Sequence, residues 1–155
     1  MISLKKRQSG FTIVELLIVI VVIGILAALV ITTYSGIQAK ARNSKRQVDL
    51  QSLQTQIEAF YSQNGFYPSL TDMNGTAWRA TNMKSLDVGA LTDPSNPTSN
   101  TLVTAPVAKS YAYAVTDNSN ASCETADTNC AKYTLTATYE GTVNGATVYT
   151  KTNLD

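Results

Sequence analysis

Between Phe11 and Ile31 the chain carries an apolar run interrupted only by Thr12, Glu15 and Gly24. Such a run, roughly 20 residues and about 30 Å long as a helix, is enough to cross a bilayer. Lys5, Lys6 and Arg7 stand directly in front of it. That placement favours an N-terminus in the cytoplasm with the rest of the chain outside. Glu15 is the anomaly. A carboxylate within a spanning helix costs on the order of 2–3 kcal/mol or more, so its default reading is a functional residue with a partner.

Two plainer accounts compete. A secretory signal peptide also starts basic, but its apolar core is about 7–15 residues and ends at a small-residue cleavage site. Here the run is longer, and the candidate sites at Ala27-Ala28 and Ala39-Lys40-Ala41 fall in or beyond it. An uncleaved anchor accounts for the length alone. Neither explains Glu15 or the Gly10-Phe11 junction. Together these residues resemble the N-terminal signature of type IV prepilins: a basic leader ending in glycine, then phenylalanine, then glutamate at the fifth position. The resemblance implies that a prepilin peptidase cuts between Gly10 and Phe11 and methylates the new amine of Phe11. Gly10 suits a scissile bond because it has no side chain to block approach. The resemblance also implies that Glu15 meets the positive N-terminus of a neighbouring subunit. In an apolar medium each charge alone is costly, so pairing favours assembly in one axial register. The competing reading has Glu15 reaching to the membrane surface, one turn away.

The 155 residues suffice for one membrane helix and one small domain. Beyond Asn64 the bases Arg79, Lys84, Lys109, Lys132 and Lys151 are outnumbered by Asp72, Asp87, Asp93, Asp117, Glu124, Asp127, Glu140 and Asp155. An acidic head is a poor receptor for nucleic acid, whose binding relies on neutralising phosphates. Histidine is absent. No phosphate-binding glycine loop or nucleophile motif is present either, so no enzyme, cofactor or metal site is expected. Cys123 and Cys130 both fall in the segment expected outside, where oxidation is permitted, and are expected to form a disulfide. A metal pair lacks further His or Cys ligands.

Helical spacing continues past the apolar run through Ile37, Ala41, Ser44 and Val48, and, in a changed phase, through Leu50, Leu53, Ile57 and Phe60. Both sets are expected on the buried face, which broadens or rotates along the helix. Asn64-Gly65 supplies a stop. One helix over 11–63 is expected, apolar all round in its first half and amphipathic in its second. Gly24 has two readings, a point of helix flexibility or a seat for close packing. The family resemblance implies the first, with Thr32 where a proline often stands. Residues 69–109 read as a polar connector with a loop at 92–100, held to the helix by Trp78 and Leu86. Three strands follow, marked by Tyr111, Tyr113 and Val115, by Tyr133, Leu135, Ala137 and Tyr139, and by Ala146, Val148 and Thr150. Asn144-Gly145 joins the last two as a hairpin. Asn74-Gly75-Thr76 and Asn120-Ala121-Ser122 fit the N-glycosylation pattern and read simply as exposed loops. Lys40, Arg42, Lys45 and Arg46 form a basic stripe that could face acidic groups on neighbouring heads.

The expected fold is α+β, a long N-terminal helix packed against a small C-terminal antiparallel sheet, as in pilins. The expected parts are a cleaved leader (1–10), a transmembrane and assembly half of the helix (11–35) and an extracytoplasmic head (36–155). The reading is a structural, non-enzymatic subunit of a type IV pilus-like surface filament, held in the inner membrane before assembly. Its partners are further copies of itself, a prepilin peptidase, membrane lipid and the assembly machinery. A pseudopilin of a type II secretion or DNA-uptake machine is the alternative. An uncleaved membrane-anchored binding module is the third.

Overall fold

A computed structural model describes residues 10–125 and 127–154, and every side chain among them except that of Thr32. Lys5, Lys6 and Arg7 of the expected leader lie outside the described residues, as do Ala126 and Asp155. The elements are α1 (Ile13–Asn64), α2 (Leu70–Asn74), α3 (Thr76–Asn82), a short 3-10 turn (Val88–Leu91), β1 (Tyr111–Thr116), β2 (Lys132–Val143) and β3 (Ala146–Thr152). The chain divides into two compact units, residues 1–38 and 39–155. α1 supplies helix to both.

In the second unit, Leu50, Leu53, Ile57 and Phe60 recur at helical spacing and are all buried. They share one core with Tyr111, Tyr113 and Val115 of β1 and Tyr133, Leu135 and Ala137 of β2. Burying each large apolar side chain contributes about 1.5–3 kcal/mol, which is what ties this stretch of α1 to the sheet. α1 stops at Gly65, whose φ of 80° only glycine adopts freely. The sheet is antiparallel in the order β1-β2-β3, with Tyr113 opposite Leu135 and Ala137 opposite Tyr149. The β2–β3 hairpin turns through Asn144 and Gly145, both left-handed at φ 51° and 81°, as a two-residue primed turn requires.

Three expectations need correction. Ile37, Ala41, Ser44 and Val48 are exposed. The buried face runs instead through Asn43, Arg46 and Asp49, because polar groups that find partners take the inward positions. In β3 the phase is inverted. Tyr149 and Lys151 stand opposite the core residues Ala137 and Leu135, and Ala146, Val148 and Thr150 are exposed. A seven-residue edge strand with so many threonines offers no apolar contrast to fix its face. The connector is also more ordered than its polarity suggested. It contains α2, opened by a capping box between Ser69 and Asp72, and α3. It buries Met73, Met83, Leu86, Leu91 and Leu102 in the core, and Trp78 packs 5.2 Å from Phe60.

Candidate functional site

The expected processing junction lies ahead of the helix. Gly10, Phe11 and Thr12 are exposed and non-helical, and a side chain at Gly10 would meet nothing within 4 Å. The helix then opens with an interlocked pair. The Thr12 backbone N–H and hydroxyl both donate to Glu15 Oε2 at 2.8 Å, and the Glu15 N–H donates to Thr12 Oγ1 at 3.2 Å. Leu16 N–H donates to the Thr12 carbonyl at 3.2 Å, the first helical bond. This is a capping box, with Thr12 as the cap and Glu15 three residues on, and such caps contribute about 1 kcal/mol. Sequence reasoning passed over Thr12, although Thr-x-x-Glu before an apolar run is the signal for it. All of the bonding falls on Oε2. Glu15 Oε1 makes no hydrogen bond among the described residues, so the carboxylate is held in place with one oxygen open at the helix N-terminus.

Beyond this cap the apolar surface is exposed. From Phe11 to Ile31 the large apolar side chains are 48–89% exposed. Among the described residues α1 is the one helix long and apolar enough to cross a membrane. It stays helical through Gly24, where a Cβ would meet nothing within 4 Å. No contact among the described residues therefore calls for glycine there.

The charged residues of the second unit are organised differently. Arg46 is 1% exposed and forks onto Asp93, Nε to Oδ2 at 2.7 Å and Nη2 to Oδ1 at 2.9 Å. The same Nη2 donates to Glu140 Oε1 at 2.9 Å and to Ser95 Oγ at 3.0 Å. Arg42 donates to both oxygens of Glu140, at 2.7 and 2.5 Å. Asn43 then exchanges two hydrogen bonds with the Glu140 backbone. The Arg42 bonds, helped by weaker ones from Ser95 and Arg46, hold the Glu140 carboxyl down at about 2 against burial, whose effect is second to that of Arg42. Asp49 accepts from Lys45 and, at 2.8 Å, from the Tyr111 hydroxyl. Burial first, and then that bond, pushes the Tyr111 phenol up, so it remains a neutral donor. The basic stripe is thereby corrected: Arg42, Lys45 and Arg46 are paired within their own head. The carboxylate partners of Arg42 and Arg46 lie 47 to 98 residues away, beyond the reach of spacing arguments, whereas Lys45 and Asp49 are an i,i+4 pair.

At the other end of the sheet, Cys123 and Cys130 form a disulfide with Cα atoms 5.9 Å apart, as expected. The loop it closes is sewn to the fold by Cys123 N–H to the Val115 carbonyl (3.1 Å) and Tyr67 N–H to the Cys130 carbonyl (3.0 Å). Nearby, Glu58 of α1 accepts from Tyr133 Oη at 2.8 Å and Tyr67 Oη at 3.2 Å. Asn74 is no open acceptor site. Its side chain exchanges hydrogen bonds of 2.9 and 2.7 Å with the Leu102 backbone. Asn120 is exposed, in a turn at φ 64°. Among the described residues no group of three or more Cys, Asp or Glu side chains is arranged to hold a metal ion.

A family profile described as the prokaryotic N-terminal methylation motif matches residues 5–31. The chain is 40% identical over 65 residues to the type II secretion system core protein G of Aeromonas hydrophila, covering 42% of this chain and 46% of that one. It is 36% identical over 73 residues to the type IV major pilin protein PilA of Myxococcus xanthus, covering 47% and 33%. To the fimbrial protein EcpB of Eikenella corrodens it is 33% identical over 101 residues, covering 65% and 60%. The chain thus spans roughly a third to three fifths of the length of these relatives. No solved structure matches it significantly. With the methylation motif at its head, an exposed apolar helix behind it and a type IV major pilin, a fimbrial protein and type II secretion core proteins among its relatives, the chain is similar to type IV pilins and type II secretion core proteins over its N-terminal part.

Proposed function

We propose that the chain is the structural subunit of a type IV pilus-like surface filament. The observation that carries this reading is the apolar stretch Phe11–Ile31, exposed on all sides behind a single capped carboxylate. In a monomer such a surface is tolerable only in lipid. In a filament the same side chains pack against further copies, each contributing about 1.5–3 kcal/mol if fully buried. A prepilin peptidase cuts between Gly10 and Phe11 and methylates the Phe11 amine. Glu15, held by Thr12 with Oε1 open, meets the charged N-terminus of a neighbouring copy, and neither charge is then left alone in an apolar core. Gly24 gives the packed helix a point of flexibility or close approach. Before assembly the chain spans the inner membrane with its N-terminus inside. Afterwards it lies at the cell surface, having used the assembly machinery of that membrane.

The relatives named as type II secretion core protein G favour a second reading, a pseudopilin that forms a short filament within a secretion machine. Mass spectrometry of material sheared from the cell surface tests the first. The expected chain begins at N-methylated Phe11 and is lighter by two hydrogens for the disulfide. A processed chain absent from the sheared fraction and confined to the envelope moves the assignment to the pseudopilin. A chain still beginning at Met1 in the membrane overturns both.

A further inference from the structure

The second unit has two unlike ends. α1 and β2 run antiparallel there, joined at one end by Arg42 to Glu140 and at the other by Glu58 to Tyr133. Sixteen helical residues, roughly 24 Å, separate the two joints. At the first end lies an open groove of about 430 Å³ lined by Arg42, Arg46, Ser95, Lys109, Tyr139 and Glu140. With Arg42 and Arg46 paired to Glu140 and Asp93, the cation left over at the groove is Lys109. Lys109 is exposed, and its ammonium has no carboxylate within ion-pair distance among the described residues. Its backbone sits at φ 64° in the turn ahead of β1, where its carbonyl accepts from Asn96 Nδ2 at 3.4 Å.

At the second end is the acidic loop between β1 and β2. Asp117 is pinned by Ser119 and Ala121 N–H groups at 2.8 and 2.9 Å, and Asp127 by the Glu124 N–H at 2.7 Å. Glu124 and Asp127 are exposed, and neither is in an ion pair among the described residues. The groove and the loop flank opposite ends of β1, so a head cannot bring its own two surfaces together. Two copies can. A contact that joins different patches head to tail propagates into an open assembly unless its rotation closes a ring.

We propose that the acidic disulfide loop of one copy docks through Glu124 and Asp127 into the Lys109 groove of the next. The proposal rests on the filament reading. Helices already packed in a filament hold the heads at an effective concentration in the millimolar range, so a contact too weak to pair free heads still forms. Being exposed, it weakens with salt, over a screening length of about 8–10 Å at physiological ionic strength.

Zero-length carbodiimide cross-linking of intact filaments tests it. The separation within one head makes any isopeptide bond from Lys109 to Glu124 or Asp127 intermolecular. The expected result is a ladder of linked subunits carrying those bonds, reduced at least tenfold in Lys109→Gln and in the Glu124→Gln/Asp127→Asn pair. Lys109→Glu filaments fall apart at lower salt than wild type, and Glu124→Lys added to Lys109→Glu restores part of the difference. Filaments whose ladder is unchanged by Lys109→Gln, whose Lys109 is linked to some other protein, or whose double reversal rescues nothing overturn the docking contact alone. A wild-type chain that makes no filaments overturns it together with the proposed function.

Discussion

Phe11 and the first turns of α1 as far as Ile31 leave their apolar side chains exposed, with one carboxylate in the N-terminal cap. From Arg42 to Glu58 the same helix buries Arg46 and Asp49 as deeply as Leu50 and Leu53. On the proposed reading the first stretch takes its energetics from lipid or other copies, whereas the second completes its own within the chain. The contrast teaches where each kind of residue can change. A substitution in the first stretch acts on assembly and leaves the head's stability alone, whereas one in the second acts on the head first.

The largest expected effect is at Glu15. Glu15→Leu keeps the apolar surface and removes what the proposed function makes the partner of the neighbouring N-terminus. An unpaired charge in an apolar core costs several kcal/mol, and each 1.4 kcal/mol is tenfold. Filament yield is expected to fall at least tenfold, while urea unfolding of the head, followed through Trp78 in the detergent-solubilised chain, stays where it was. Wild-type yield would remove Glu15 from assembly and favour the membrane-tethered reading.

Next comes the buried fork. Arg46→Met leaves Asp93 charged at 1% exposure, and breaking a buried pair from one side costs about 3–5 kcal/mol. Adding Asp93→Leu removes the stranded charge and should recover part of the loss. A single substitution costing under about 1 kcal/mol would mean that water reaches the site. Below this falls the disulfide. Cys123→Ala/Cys130→Ala is expected to cost about 2–3 kcal/mol, since the loop it closes is short. If it cost more than Arg46→Met, the staple and not the ion network would be what holds the head.

How far these two stretches could be read in advance differs for the same reason. Apolar length, the Gly10-Phe11 junction and Glu15 are local, and so were Leu50, Leu53, Ile57 and Phe60, the Asn144-Gly145 turn and the cysteine pair. Thr12 is equally local, since Thr-x-x-Glu before an apolar run is itself the signal of a cap. Arg42 and Arg46 were not legible in this way. A hydrophobic pattern reads charges as solvent-facing, and their inward direction depends on Asp93 and Glu140 arriving from distant segments. β3 failed for want of contrast, its inward residues Tyr149 and Lys151 being no more apolar as a set than its outward ones.

The smallest effect separates the two charged pairings within the head. Glu140 is a third exposed, whereas Asp93 is buried. Hydrogen bonds from Arg42, then from Ser95 and Arg46, lower the Glu140 carboxyl from 4.5 to about 2 in the folded chain. The unfolded chain therefore takes up its proton first as pH falls. The stability that Glu140 contributes is complete above the ordinary carboxylate value, declines below it, and is gone once the folded-state value is passed. Because solvent screens a partly exposed pair, the amount is expected to be about 1 kcal/mol or less. Urea midpoints measured between pH 5 and 2 should fall less steeply in Glu140→Gln than in wild type, with the two curves converging at the acid end. Parallel curves across that window would mean that Glu140 is not ion-paired in solution, and would leave Arg42 free to serve a neighbouring copy.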